Sequence, residues 1–280
     1  MTDGGFIYIL KPPFFLIIIF RYMLNKYLKL IPYLFQLIFL TSVFGGIGYI
    51  TAKYLLKISN ENAVLLIFKL FEFVGVVIFA CMNKRVTLIL LNYLKPNKKQ
   101  LFLFLQFFLL SSVALLSIII ISKSLDLIRL KDIFEINYIK IISYFFLALI
   151  VAICEEIMFR GFVALYINSK INKNTAIFIS SFLFALVHVQ YEGVFPFITA
   201  LLAGLIFVLL TFKYRSLFPA IAFHLGWNFL YLLFNDCFLI NGEVKFWGEL
   251  FEVPQIILLL FILVYLVSIK YPHYHSRFVR

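Results

Sequence analysis

Long apolar runs separated by short polar connections set the pattern of this chain. A helix needs about 20 mostly apolar residues to cross the hydrocarbon core of a bilayer. Eight runs approach or reach that length: 31–50, 63–82, 101–122, 139–160, 174–191, 195–212, 217–235 and 254–270. They are continuous rather than alternating, which argues against the strands of a membrane barrel. The stretch 14–20 is apolar but short and follows Pro12-Pro13. It is read as an interfacial helix, and without a small-residue cleavage site it is expected to stay on the chain. The polar connections 83–100, 123–138 and 236–253 are too short for a soluble domain. The pattern predicts an all-α, polytopic helical membrane protein with about eight transmembrane helices. Its parts are 1–138 (three helices and the N-terminal segment), 139–235 (four helices) and 236–280 (a last helix and a basic tail).

Composition agrees. Of 280 residues, 64% are hydrophobic and only 14% charged, and the mean hydropathy is +1.05. So few charges cannot cover a water-soluble surface, which excludes a soluble enzyme, and the apolar content excludes a disordered chain. The net charge of +12 would suggest nucleic acid on a soluble protein. Here the basic residues sit in short connections, so the charge is read as loops held at the cytoplasmic face and no nucleic acid is expected. The N-terminal segment, loops 83–100, 161–173 and 213–216, and the tail together carry sixteen Lys and Arg. The opposite loops carry seven, and Lys69 and Arg160 lie inside spans. That asymmetry predicts a multi-pass protein of a cell membrane with both termini in the cytoplasm. Cys81, Cys154 and Cys237 have apolar neighbours and no metal-ligand spacing, so they are read as small hydrophobes.

Ionisable groups at membrane depth cost roughly 2.5–3.5 kcal/mol each on insertion scales, so their positions are informative. Three groups stand out. In the fourth run, Glu156 and Arg160 are four residues apart and share a helix face. Glu155 points about 100° away, with no partner on its own helix, and suits general acid/base work. In the fifth, Phe184 and His188 share a face, and His188 suits proton transfer or metal ligation. In the seventh, His224 and Asn228 share a face and could hold a polarised oxygen, with Gly226 between them permitting close helix approach. Each group also has a structural reading: an ion-pair knot, a packed histidine, an interhelical hydrogen-bond pair. If the fourth and fifth runs form a hairpin turning near residue 171, Glu155 and His188 lie at nearly the same depth. Lys69 and Glu72, three residues apart in the second run, are read as neutralising each other.

Glu155-Glu156-x-x-x-Arg160, Phe184-x-x-x-His188 and His224-x-x-x-Asn228, in that order and each in an apolar run, resemble the three motifs of the CPBP family. This family, also called the Abi or CAAX-protease family, includes the eukaryotic Ras-converting CAAX endopeptidase and bacterial proteins linked to bacteriocin self-immunity. The resemblance covers about residues 139–235 and implies an intramembrane endopeptidase core there. It implies that Glu155 activates the attacking water and that Glu156 is a second essential carboxylate held by Arg160. By the same resemblance, His188 binds or orients the water or a metal, and His224 and Asn228 stabilise the oxyanion. Two His and one Glu (His188, His224, Glu155) also make up the ligand count of a catalytic zinc. The same residues serve without metal as base and oxyanion hole, so zinc and a metal-independent glutamate mechanism both stay open. The implied partners are membrane lipids and a membrane-associated protein or peptide substrate, with the oligomeric state left open.

His-Glu-x-x-His, Gly-x-Ser-Gly and Gly-x-Gly-Asp are absent from the sequence, which sets aside the site-2, rhomboid and presenilin types of intramembrane protease. Two other classes of function compete. One is a non-enzymatic immunity or interaction protein that acts by occupancy. The other is a proton-relay transporter, disfavoured by the lack of repeated halves and of matching broken helices.

Overall fold

The computed structural model describes residues 12–125, 138–188, 194–237 and 245–268, and all its regular elements are helical. In chain order they are α1 (Pro12–Ile50), a π-helical turn (Thr51–Leu55), α2 (Glu61–Met82), α3 (Lys84–Tyr93) and α4 (Lys98–Ser124). There follow α5 (Tyr138–Glu156), a π-helical segment (Ile157–Ala164), α6 (Leu165–Lys170) and α7 (Lys173–Leu186). The last three are α8 (Val194–Tyr214), α9 (Phe218–Cys237) and α10 (Lys245–Ser268).

Five described segments are long and apolar enough to cross a membrane: Tyr27–Leu55, Glu61–Met82, Lys98–Ser124, Tyr138–Lys170 and Val194–Tyr214. Three shorter apolar helices, Lys173–Leu186, Phe218–Phe234 and Glu252–Ser268, fall on the remaining expected runs. The protein is a polytopic helical membrane protein. Many large apolar side chains on the helix surfaces, such as Phe35, Phe102, Ile139 and Phe261, are exposed. That is the expected outer face of a bundle solvated by lipid tails rather than water.

Side-chain chemistry starts several helices. Asn60, Asn97 and Asn172 are N-caps, accepting from the backbone N–H of Ala63, Gln100 and Thr175 at 3.1, 3.0 and 2.8 Å. Each satisfies an N–H that has no partner within the helix. The Asn172 cap, directly after Ile171, forms the hairpin turn where the depth argument requires it.

Four elements differ from the sequence expectation, one of them α10, which starts at Lys245 inside the expected connection 236–253. The stretch 14–20 is the beginning of α1 rather than a helix of its own. The connection 83–100 contains α3, which buries Val86 and Leu90 on one face. The fourth run does not end at residue 160 but continues as one helical rod to Lys170, through a π-helical segment. The expected tail of the fifth run, 189–191, lies outside the described residues, as does most of 123–138.

Close helix approach positions the site. α1 packs along α2, α4 along α9, α7 along α8, and α5 touches both α2 and α9. At Gly226 an added Cβ would collide with Ser111 Oγ and come within 2.7 Å of the Phe108 carbonyl oxygen. The glycine therefore lets α9 lie directly on α4. A Cβ at Gly204 would come within 3.0 Å of Ser181 Cα, so α8 is drawn onto α7 in the same way. α3 is tied to the α8–α9 turn, where Leu217 N–H donates to the Tyr93 carbonyl at 3.0 Å.

Candidate active site

Four elements bring the motif residues together: the end of α5 with its π-helical continuation, the end of α7, the middle of α8 and the first half of α9. At the centre is a buried carboxylate pair. Glu156 is fully buried. Its Oε1 accepts from Arg160 Nη1 at 2.9 Å and from His224 Nδ1 at 3.0 Å. The i, i+4 pair expected from spacing is therefore present, and α9 adds a third member.

Arg160, also fully buried, donates Nη2 to the Gly204 carbonyl at 3.2 Å. Its guanidinium carbon lies 4.3 Å from the Phe184 ring centre and 4.9 Å from that of Phe207. A cation removed from water is held here by one carboxylate, one carbonyl and two aromatic faces. That gives Phe184, four residues before His188, a task of its own. Phe207 was not read from the sequence. It stacks on His224, with ring centres 5.0 Å apart and planes at 18°. An aromatic inside an apolar run carries no signal that marks it from the core.

The π-helical segment displaces backbone carbonyls from their usual partners, and neighbouring side chains take them up. Ser180 Oγ donates to the Phe159 carbonyl at 2.9 Å, and Tyr33 Oη donates to that of Phe162 at 3.0 Å. Satisfied carbonyls make the irregular turn tenable at membrane depth. The turn carries Arg160 and follows Glu155 and Glu156 directly.

Glu155 faces the other way, as its 100° offset requires. The sequence reading gave it no partner on its own helix, and the structure supplies one from α2. Lys69 Nζ lies 2.8 Å from Glu155 Oε1 and 2.9 Å from Glu72 Oε2. Lys69 is therefore not neutralised by Glu72 alone. Glu155 Oε2 is buried and makes no hydrogen bond among the described residues. It faces His224 Nε2 at 3.8 Å and His188 Nε2 at 4.0 Å. Polar atoms this far apart are spaced for a bridging water or a substrate oxygen rather than for direct contact.

Both imidazoles are oriented through their other nitrogen. His188 Nδ1 bonds the Phe184 carbonyl at 2.7 Å, and His224 Nδ1 bonds Glu156. A carbonyl and a carboxylate only accept, so Nδ1 carries a proton in each and Nε2 is presented to Glu155. His188 lies in the turn just after α7 rather than within a span, yet it reaches the depth of Glu155 as the hairpin argument predicts. Asn228, half-buried one turn beyond His224, is on the same helix face. Among the described residues no hydrogen bond joins it to the carboxylates or imidazoles.

The donor types suit zinc, and an Nδ1–H anchored on a carbonyl or carboxylate is the usual second shell of a metal-binding histidine. The spacing does not suit it. Ligands at zinc bond lengths lie about 3.4 Å apart around a tetrahedral ion, against 3.8 and 4.0 Å here. The Lys69 ammonium already occupies the other oxygen of Glu155. Among the described residues, no three His, Cys, Asp or Glu groups are placed to hold one metal ion. Cys154 is buried beside the site as a free thiol, and Cys81 is free and exposed.

Lipid-facing helices surround a buried carboxylate–imidazole cluster, an arrangement suited to acid–base chemistry. Comparison with known families points in the same direction. Residues 137–230 match the family described as Rce1-like, type II CAAX prenyl endopeptidase. The match is consistent with the CPBP resemblance, contains all three motifs and points to a protease. No curated protein and no solved structure matches the chain.

Proposed function

We propose that this protein is an intramembrane endopeptidase that hydrolyses a peptide bond of a membrane-associated or lipidated protein or peptide, using water activated by Glu155. The observation that carries the reading is the arrangement around Glu155 Oε2, a buried oxygen without a hydrogen-bond partner among the described residues that faces two oriented imidazole nitrogens at 3.8 and 4.0 Å.

A water at that point gives one proton to Oε2, and its oxygen attacks the scissile carbonyl carbon. The carbonyl π electrons move to oxygen and form a tetrahedral oxyanion. His224, held through Nδ1 by Glu156, stabilises that oxyanion through an N–H at Nε2. Asn228, on the same face, adds an amide donor when substrate is bound. The C–N bond then breaks, and the leaving amine takes its proton from Glu155, which returns the carboxylate to its starting state. The excess of basic residues in one set of loops supports a site approached from the cytoplasmic side.

The test is incubation of the full-length protein in detergent micelles with a prenylated CAAX-type peptide, followed by mass spectrometry of the products. Cleavage at one peptide bond, faster than for the unprenylated peptide, is expected. Protection of cells from a bacteriocin that survives Glu155→Gln, with no cleavage of either peptide, would favour action by occupancy and overturn the proposal.

A further inference from the structure

Glu155 is a base only if one of its oxygens stays free and aimed. A carboxylate can rotate about its last bond, and two imidazoles at 3.8 and 4.0 Å do not fix it by contact. The fixing comes from α2. Lys69 Nζ takes Oε1 at 2.8 Å, which leaves Oε2 as the oxygen turned toward His188 and His224.

Lys69 is itself held. Glu72 lies 2.9 Å from its ammonium, the Phe68 ring centre is 5.6 Å away, and its backbone carbonyl faces Cys154 Sγ at 3.8 Å. That last contact joins α2 to α5 directly beside Glu155. The lysine side chain is 12% exposed, so the interaction is little weakened by solvent. The residue also lies outside the segment 137–230 that matches the endopeptidase family. The N-terminal helices therefore contribute a side chain to the site as well as packing around it.

We propose that Lys69 is a positioning residue for the reaction. By binding one oxygen of Glu155 it directs the other at the attacking water, and Glu72 keeps the ammonium in place. This rests on the reading of Glu155 as the base.

The experiment measures kcat and KM for a quenched prenylated CAAX-type peptide with full-length protein in detergent, beside the thermal unfolding midpoint. The variants are Lys69→Met, Lys69→Arg, Glu72→Gln and Lys69→Met/Glu72→Gln. Misplacing a reacting group by about an ångström costs roughly a hundredfold. Lys69→Met should therefore lower kcat by about that factor with KM within about twofold. Lys69→Arg, which keeps a cation in reach, should recover to within about tenfold of wild type. Glu72→Gln should stay within about tenfold, because the Lys69–Glu155 contact survives it. If Lys69→Met leaves too many unneutralised carboxylates to fold, the double variant removes one of them and should show the same loss of kcat.

Wild-type turnover with an unchanged kcat in Lys69→Met overturns the proposal and leaves the endopeptidase reading standing. So does a loss in Lys69→Met that tracks a fall in unfolding midpoint and is not rescued by arginine. Failure of wild type itself to cleave strikes the underlying reading, and the proposal falls with it.

Discussion

Glu156 and Glu155 are adjacent in sequence and differ in surroundings. Glu156 is fully buried and bonded to Arg160 and His224. Glu155 has one oxygen paired and one turned into the site. Removing a partner from a buried ion pair typically costs about 3–5 kcal/mol, because the remaining charge is stranded. Arg160→Met is therefore expected to lower the thermal unfolding midpoint sharply or prevent accumulation in the membrane. His188 is the opposite case. Its side chain is 23% exposed and its anchor is a backbone carbonyl. His188→Ala should leave the midpoint nearly unchanged while reducing turnover by about a hundredfold or more. Unfolding scans and peptide cleavage on both variants check this, and the account fails if the two effects are exchanged. The Glu156–Arg160 pair could be read from sequence because a spacing of four in a helix fixes a shared face. Lys69 was set aside because spacing shows only neighbours on one helix. Its second partner, Glu155, is 86 residues away, and nothing local announces it.

At the scale of elements, the site depends on where helices come close and where one of them departs from α geometry. The expected turn near 171 was legible because polar Asn172 and Lys173 interrupt the apolar runs there. The π-helical segment Ile157–Ala164 was not, because it has the same apolar composition as the helix around it and is held by distant Ser180 and Tyr33. α3 was missed because a ten-residue helix is too short to register as a span. Its Val86 and Leu90, four apart behind Lys84-Arg85, were the available signal. Gly226 was legible as a point of close approach. A side chain there must push against Ser111 and the Phe108 carbonyl on α4. Gly226→Ala is expected to destabilise the fold by about 1–3 kcal/mol through overpacking. A thermal unfolding midpoint equal to wild type would show that α4 and α9 are not in close contact there.

At the scale of the molecule, apolar runs fixed the class because the membrane leaves few options. Backbone groups must be satisfied within helices, and side chains facing lipid must be apolar. The protein is accordingly expected to stay in the membrane pellet through alkaline carbonate and to be released only by detergent. Release by carbonate would contradict the spanning architecture. The sequence placed the chemistry within 139–235, and the family match at 137–230 agrees closely with that. The structure adds α2, whose Lys69 completes the surroundings of the base.

The central claim is that Glu155 acts as a base in a site its neighbours hold ready. Glu155→Gln preserves size and an oxygen that can accept from Lys69, while removing the negative charge and the basic oxygen. Initial rates of prenylated-peptide cleavage by detergent-purified wild type and Glu155→Gln, at matched folded concentration, test it most directly. The account predicts a drop of at least about a hundredfold in kcat for a variant that still folds. Full activity in Glu155→Gln would contradict it.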